Sequence, residues 1–593
     1  MILPKPAPAA AKQLTLSQSS PYHRGVQPVI SSVQMRDIDR LTTQRYGIPS
    51  LELMENAATA AARFIIDSYL RESRSALIFC GKGNNGGDGA AVARLLATAG
   101  ALVDVVLVGK VEETGSDARV NFERLQVWKK ESELRERREA ATPQAGTINF
   151  FECDSASGWD QLLATVLNTP HHVVVDALFG TGLTRSVEGL HREVVRYLAG
   201  LRDVRDIPLH RFSRIVSIDI PSGLNADCEK PIGEAVRADA TVTFSAPKRA
   251  NVLPPAAGYN GKLVIADIGS PEELISEYRA DLFVTEAGDA RRWLIQTRYA
   301  TESYKNSHGH VLVLAGSRGF TGAAALCGNA AMRAGAGLVT VATPNSAQPL
   351  VATQVIPEIM TTSLAETDRG AVSDEALDYA LKFAERADVV AIGPGLSSED
   401  DRTRTFVRRI VEQRATPIVV DADGLNCLAP WPADLRGSDK LPIVLTPHPG
   451  EMRRLLGSDN ESSLDDRVTV ARAFATSSKV ILVLKGSRTI IAAPDGRVVV
   501  NPTGNAGLGT AGSGDTLAGV IAGFLAQACG TLTKGADAFD AVVAAVYVSG
   551  LAGDLAARKL GMRAMVASDI REHLSEAICS LDPIGETPSE FVG

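Results

Sequence analysis

Gly504-Asn505-Ala506-Gly507-Leu508-Gly509-Thr510-Ala511-Gly512-Ser513-Gly514-Asp515-Thr516-Leu517-Ala518-Gly519 crowds glycines up to a single acid, and an apolar helical pattern then runs to about Gln527. Glycines let backbone N–H groups approach a ligand closely, and a helix N-terminus adds partial positive charge. The combination suits a phosphate. At the start of a helix, Asp515 reads as an N-cap. Beside a bound phosphate, the same carboxylate takes a proton from a hydroxyl. The stretch alone leaves both readings open.

Upstream of this loop, short apolar strands run into turns. Val311–Ala315 enters Gly316-Ser317-Arg318-Gly319, and a small-residue helix follows to Gly335. Leu338–Ala342 is a further strand, Val389–Ile392 enters Gly393-Pro394-Gly395-Leu396, and Ile418–Val420 ends in Asp421-Ala422-Asp423. Leu445-Thr446-Pro447-His448-Pro449-Gly450-Glu451 and Ile481–Leu484 before Lys485-Gly486-Ser487 are two more strand-to-loop junctions. His448 is held rigidly between prolines, and a packing role and a ligand role fit it equally. Lys485 at a strand end favours phosphate contact over a solvated surface position.

The first half has its own strand, glycine loop and helix: Ala76–Cys80, then Gly81-Lys82-Gly83-Asn84-Asn85-Gly86-Gly87-Asp88-Gly89, then Ala90–Ala99. That is the phosphate-binding form of a doubly wound sheet. Val173–Val175 ends in Asp176 before Ala177-Leu178-Phe179-Gly180-Thr181-Gly182-Leu183, and Ile215–Ile218 ends in Asp219 before Ile220-Pro221-Ser222-Gly223-Leu224. Each acid alone reads equally as a helix N-cap. Two strand ends with matching loops favour one shared site at the carboxyl edge of the sheet. Oxygen ligands dominate it, which suits a hard cation. Cys80 reads as a buried strand thiol.

Helix Val33–Tyr46, a second helix capped by Ser50, strand Leu102–Val108 and strands Ala240–Phe244 and Leu263–Ala266 complete this half. The charged run Lys129–Glu139 reads as a solvated helix and loop. Sheet signals fade after Gly269, which places a domain boundary near residue 285. Strands alternate with helices in both halves, so the chain is expected to be α/β, with two parallel, doubly wound sheets. Residues 1–30, rich in Pro, Ala, Ser and Gln, read as a disordered tail; 31–285 and 286–593 are the two domains.

A chain of 593 residues exceeds what one core serves. The formal net charge of -8 argues against a general nucleic-acid binder. Seven scattered cysteines without C-x-x-C spacing point to a reducing compartment rather than a zinc site or disulfide framework. No apolar run reads as a membrane span and no compact apolar leader is present, so a cytoplasmic protein is expected, as a homo-oligomer.

Taken together, the motifs are similar to two known families. Residues 76–269 resemble the NAD(P)H-hydrate epimerase domain through GKGNNGGDG (81–89), VDALFGTGL (175–183) and SIDIPSGL (217–224). Residues from about 300 to 580 resemble the ADP-dependent NAD(P)H-hydrate dehydratases of the ribokinase-like superfamily. The matching segments are AGSRGFTGAA (315–324), GPGL (393–396), TPHPGE (446–451), KGSRT (485–489) and GNAGLGTAGSGDTLAG (504–519). Single glycine loops are weak signals; eight segments in order are strong. Ser513 stands where the superfamily often has Thr or Ala, and Arg185-Ser186 is a less typical end to the epimerase loop.

The resemblance implies a Rossmann-like epimerase domain and a ribokinase-like dehydratase domain acting on hydrated NADH and NADPH. It implies that Asn84, Asn85, Gly86, Gly87 and Asp88 contact the hydrated dinucleotide. Gly180, Thr181, Gly182, Leu183, Thr184, Arg185 and Ser186 would hold its pyrophosphate side, with Asp219 on the substrate. Asn85, Asp176 and Ser222 would hold a potassium ion. In the second half, Ala323, Gly395, His448 and Asp515 would contact the hydrate. Lys485, Gly486, Ser487, Arg488, Thr489 and Gly514 would hold ADP, the co-substrate, with magnesium. Asp219 and Asp515 are the expected catalytic acids. The competing expectation is a small-molecule kinase for a vitamin precursor, fused to a nucleotide-binding module; the 81–89 and 175–183 loops have no use in it.

Overall fold

The structure is a computed structural model and describes residues 27–71, 74–138, 146–203, 213–278, 280–530 and 536–582. Most of the N-terminal tail and the end of the charged run at 139–145 lie outside them. The chain divides into two compact units, one within Pro28–Ala280 and one within Asp281–Gly593.

The N-terminal sheet has seven strands, all parallel. Its order is Thr147–Cys153, Leu102–Val108, Ser75–Cys80, Val173–Ala177, Arg214–Ile218, Ala240–Phe244 and Lys262–Ala266. The chain runs outward in one direction from Ser75–Cys80 and then returns to add Val173–Ala177 on its other side. The strand order therefore reverses between these two, and a crevice opens at their carboxyl ends. The loops at 81–83 and 178–183 lie at that switch point. Asp219 follows its strand directly and takes a left-handed conformation, φ 67°.

The glycine loop is shorter than the sequence pattern suggests, because the helix already begins at Asn84 and runs to Thr98. Close packing explains the glycines inside its first turns. A Cβ on Gly86 would lie 1.8 Å from the Gly81 carbonyl oxygen, and one on Gly89 would lie 2.6 Å from the Ala177 Cβ. Only a bare backbone lets the helix start seat this deeply against the strand ends. Ser50 is the first residue of helix Ser50–Tyr69, and Pro49 stands at its N-cap without a side-chain bond.

In the C-terminal unit, Met360–Leu364, Leu338–Pro344, His310–Leu314, Val389–Ile392, Ile418–Val420, Ile443–Leu445 and Ile481–Leu484 are parallel neighbours in that order. The reversal falls between His310–Leu314 and Val389–Ile392. The sheet is not parallel throughout. Ile490–Ala492 and Val498–Val500 extend it as an antiparallel hairpin, whose close pairing needs only a short turn. Phe283–Val284, beside the expected boundary near residue 285, pairs parallel with Val499 and Val500.

Helix Ser513–Cys529 leads away from the opening stretch and is almost wholly buried beyond its first turn. Helix Ala538–Leu560 packs in the same core. It is long and apolar enough to cross a membrane by length and composition, contrary to the sequence expectation, and 67% of its apolar window is buried inside the unit. Its hydrophobicity is that of a core helix.

Gly86→Ala is expected to destabilise the N-terminal unit by about 1–3 kcal/mol or more, since backbone must move to admit the methyl group. At Gly182 nothing lies within 4 Å of an added Cβ, so Gly182→Ala is expected to stay within about 0.5 kcal/mol. Thermal unfolding of the two variants checks the contrast; equal midpoints would refute it.

Candidate functional sites

The N-terminal site is floored by a buried ion pair. Lys248, 1% exposed, donates from Nζ to Asp219 Oδ1 at 2.8 Å, to Thr243 Oγ1 at 2.9 Å and to the Phe244 carbonyl at 3.1 Å. All three ammonium protons are thus used. Thr243 Oγ1 donates to the same Asp219 oxygen at 3.2 Å, and the Thr181 N–H donates to Asp219 Oδ2 at 3.2 Å. Gly180 is adjacent: a Cβ there would lie 3.0 Å from Asp219 Oδ2 and 3.5 Å from Asn85 Cβ. The structure therefore brings Asn85, Gly180, Thr181 and Asp219 together.

Asn85 is buried, and its amide oxygen and nitrogen have no protein partner. A buried amide left open in this way is aimed at something other than protein. Asp88 is also buried. Burial pushes its carboxyl well above the usual range, and repulsion from Asp219 and Asp39 adds to the shift. Asp176 is fully buried. Its oxygens accept from Ser217 Oγ at 2.8 Å, Ser222 N at 2.8 Å, Ser222 Oγ at 2.5 Å and Leu178 N at 3.4 Å. Burial raises it despite these bonds. Neither Asp176 nor Asp219 caps a helix. Cys80 is fully buried, and burial, with Asp88 beside it, holds its thiol protonated. Thr184, Arg185 and Ser186 are exposed, away from this buried group.

Two residues of this site have no sequence signal. Lys248 follows the Ala240–Phe244 strand in a stretch without a glycine loop. Asp39 lies on helix Ser32–Tyr46, whose Ile38 shares a buried cluster with Ala246, two residues before Lys248. Asp39 Oδ1 is buried without a partner. Burial raises its carboxyl to about 6; Lys248 opposes the shift and Asp219 reinforces it.

The C-terminal site repeats the motif. Lys485 Nζ donates to Asp421 Oδ1 at 2.7 Å, and Glu451 Oε2 lies 3.7 Å away. Burial works against the ammonium, but Asp421 and Glu451 outweigh it and raise its pKa. Asp421 is 1% exposed; its Oδ1 also accepts from Thr446 Oγ1 at 2.7 Å, while its Oδ2 has no partner. Asp421 and Glu451 carried no assigned role in the sequence reading. Asp421 ends a strand and Glu451 closes TPHPGE, so position alone could have found them.

Helix Ser513–Cys529 points its first turn at this pair. Gly512 is its N-cap, left-handed at φ 84°, and Asp515 sits within the first turn rather than at the cap. A Cβ on Gly514 would lie 3.3 Å from Lys485 Nζ and 3.6 Å from Asp421 Oδ2. Burial raises Asp515 to about 6, with repulsion from Asp421 adding to it and Lys485 opposing it. The glycine-rich loop before the helix is tied down by Asp554, which accepts from the Gly504 N–H and Asn505 Nδ2, each at 2.9 Å.

His448 caps helix Pro449–Leu456: Nδ1 accepts from Gly450 N at 2.9 Å and Glu451 N at 3.3 Å. That places the ring proton on Nε2, 3.4 Å from Glu451 Oε1. The ring remains half exposed. Burial, together with Lys485 and Arg454, lowers its pKa. At the strand switch, Ser317 Oγ donates to the Gly395 carbonyl at 2.7 Å, and a Cβ on Gly395 would lie 2.9 Å from Ala323 Cβ. Ala323 and Gly395 are neighbours. Arg488 turns its guanidinium to the Pro502 carbonyl at 2.6 Å, and Gly486 and Ser487 are exposed.

Two switch-point crevices, each with a glycine-lined helix start over a lysine–aspartate pair, define a two-domain α/β enzyme for phosphate-bearing substrates. Residues 50–250 match the family model for the YjeF-related protein N-terminus, and residues 311–576 match that for NAD(P)H-hydrate dehydratase. The bifunctional NAD(P)H-hydrate repair enzyme of Moorella thermoacetica is 40% identical over 94% of this chain and 98% of its own. That of Escherichia coli is 32% identical over 90% of each. A solved ADP/ATP-dependent NAD(P)H-hydrate dehydratase from Bacillus subtilis, co-crystallised with ATP/Mg2+, is 30% identical. It covers 50% of this chain and 98% of its own, with a TM-score of 0.42. The chain belongs to the bifunctional NAD(P)H-hydrate repair enzymes.

Lys248→Met removes the cation from a mostly buried carboxylate. The variant is expected to lose about 3 kcal/mol of stability. Asp219, Thr243 and the Phe244 carbonyl then lose their shared donor. Thermal unfolding against the wild type checks this; an unchanged midpoint would rule it out.

Proposed function

We propose that the N-terminal unit interconverts the two C6 epimers of hydrated NADH and NADPH, and that the C-terminal unit dehydrates one epimer, the S form, with ADP. The observation that carries this reading is the presence in one chain of two separate sites with different acid states. The first surrounds the ion-paired Asp219 with buried Asp88, whose carboxyl is pushed to hold its proton. The second offers Asp515, with a pKa of about 6, at the start of a phosphate-facing helix.

In the first site, an acid protonates the C6 hydroxyl, the C6–O bond breaks, and the ring nitrogen lone pair forms an iminium. Water then adds back to either face of C6 and gives up a proton. Asp219 is the preferred acid/base. Asp176 is a poorer one, since four donors already occupy its oxygens. The open amide of Asn85 fits a potassium ion; Asp176 and Ser222, bonded to each other, would complete its site only by giving up present hydrogen bonds. When bound, that ion supplies positive charge next to a substrate phosphate.

In the second site, Asp515 takes the proton from the C6 hydroxyl. The freed oxygen attacks the β-phosphorus of ADP, and AMP leaves. The backbone N–H groups at 512–515 stabilise the charge that develops. Phosphate then departs as the ring nitrogen pushes, and C5 gives up a proton to restore the reduced ring. Lys485, Gly486, Ser487, Arg488, Thr489 and Gly514 hold the nucleotide; Ala323, Gly395, His448 and Asp515 hold the hydrate. Magnesium bound with the nucleotide supplies charge neutralisation on its phosphates. We place the chain in the cytoplasm, the reducing setting expected from its cysteine usage, and propose that it is a homo-oligomer.

The test incubates the protein with hydrated NADH and ADP and follows recovery of the reduced-nicotinamide absorbance. No recovery, with phosphorylation of an unrelated alcohol, would favour a kinase instead. Asp219→Ala is expected to abolish epimerisation and leave dehydration of the S form. Asp515→Asn is expected to lower dehydration by on the order of 10²–10⁴-fold and spare epimerisation. In the wild type, the base form of Asp515 grows as pH rises through about 6, so dehydration should climb over that window. A flat profile between pH 5 and pH 7 (about one unit either side) would exclude Asp515 as the base.

A further inference from the structure

Beside the dehydratase site lies an open cavity of about 600 Å³ that no step above uses. Helices Asp401–Glu412, Asp423–Cys427 and Pro449–Leu456 and the turns beside them line it, with Ser398, Arg404, Asn426, Pro430, Arg454 and Asp459 among its walls. The two guanidiniums converge on one residue. Arg454 Nη1 donates to Asn426 Oδ1 at 2.7 Å, and Arg404 Nη1 donates to the Asn426 carbonyl at 3.3 Å. Among the described residues, neither arginine has a carboxylate within ion-pair distance. Asp459 is exposed, so the walls carry two positive charges against one negative.

The cavity adjoins the hydrate-binding residues on two sides. A Cβ on Gly450 would lie 2.8 Å from His448 Cε1 and 4.0 Å from Arg454 Nη2, so the Arg454 head reaches the neighbourhood of the His448 ring. On the other side, Ser398 follows Gly395 by three residues. The turn between them is fixed by Asp423, which accepts from Ser397 N at 2.9 Å and from Asn426 Nδ2 at 3.4 Å. None of the lining residues belongs to the 485–489 or 512–515 segments. The cavity is therefore contiguous with the hydrate side of the site and separate from the residues assigned to the nucleotide.

We propose that this cavity is the subsite for a phosphate of the hydrated dinucleotide, held by Arg404 and Arg454. The inference rests on the dehydratase reading above. The nicotinamide end must stand between His448 and Asp515, so the rest of a dinucleotide has to leave that point through an adjoining space. An arginine fork suits a phosphate by geometry and by charge, and two unpaired forks over one cavity suit it better than a neutral group. Two phosphates of the substrate have this chemistry: the pyrophosphate, common to both hydrates, and the 2′-phosphate, carried only by the NADPH form.

The test uses full-length protein carrying Arg404→Gln, Arg454→Gln or both. Dehydration is measured at saturating ADP on the S hydrates of NADH and of NADPH. Each guanidinium removed should raise KM for the hydrate about tenfold, the loss of one charge-assisted contact, with kcat and the KM for ADP little changed. A rise confined to the NADPH hydrate places the 2′-phosphate in the cavity; an equal rise for both places the pyrophosphate there. An unchanged kcat and KM for ADP report a folded dehydratase unit. Unchanged KM values for both hydrates, or a rise in KM for ADP alone, would overturn the assignment. A wild-type chain that turns over neither hydrate fails at the dehydratase reading itself, which separates the two failures.

Discussion

A buried lysine locked to a strand-end aspartate sits at the floor of each site: Lys248 with Asp219 in the first half, Lys485 with Asp421 in the second. A carboxylate at a buried strand end is costly unless it is paired. The lysine makes that acid tolerable as an anion. It also leaves the next acids in the cluster with no cation of their own. Asp88 and Asp39 in one site and Asp515 in the other are raised by burial and by repulsion from like-charged neighbours. One pair per site thus sets an ion-paired strand-end acid beside neighbours whose carboxyls burial and repulsion push upward.

The sheets decide where these pairs form. Strand order reverses once beside Ser75–Cys80 and once beside His310–Leu314, and loops from both sides of each reversal meet there. Gly316 N donates to the Pro394 carbonyl at 2.8 Å across the second reversal, and Gly81 N donates to the Ala177 carbonyl at 3.0 Å across the first. These bonds draw segments distant in sequence into contact. The missing Cβ atoms then decide how close the helix starts come to the strand ends, which sets how near their N–H groups stand to a bound phosphate.

Much of this was legible in the sequence, because strands, glycine loops and strand-end acids are local patterns. Asp176, Asp219 and Lys485 stand where a short apolar run gives way to a turn, and Asp515 where a glycine-rich loop gives way to a helix. The misses share a different character. Lys248 lies in a plain stretch after a strand, and its role arises only when the 243–248 turn folds back under Asp219. Asp39 lies on a helix that the sequence marks only by its spacing; the packing of its neighbour Ile38 with Ala246 is a tertiary fact. The antiparallel hairpin of Ile490–Ala492 and Val498–Val500 was hidden by the brevity of its strands. The apolar run of Ala538–Leu560 reaches the length and apolarity of a membrane span, and its burial in the unit makes it a core helix.

Leaving-group chemistry accounts for why, in the proposed function, only one half needs a nucleotide. Epimerisation, as proposed, breaks and remakes the same C6–O bond, and the first site sets buried Asp88 beside the ion-paired Asp219. Hydroxide is a poor leaving group. In the second site burial raises both Asp515 and Glu451, and Lys485 is committed to Asp421 and Glu451. Transfer of a phosphoryl group solves that problem, since phosphate leaves where hydroxide does not. The glycine-lined start of helix Ser513–Cys529 is the part of the fold suited to hold the group being transferred. In the proposed chemistry nucleotide cleavage therefore belongs to dehydration, which must expel the oxygen for good, and not to epimerisation, which puts it back.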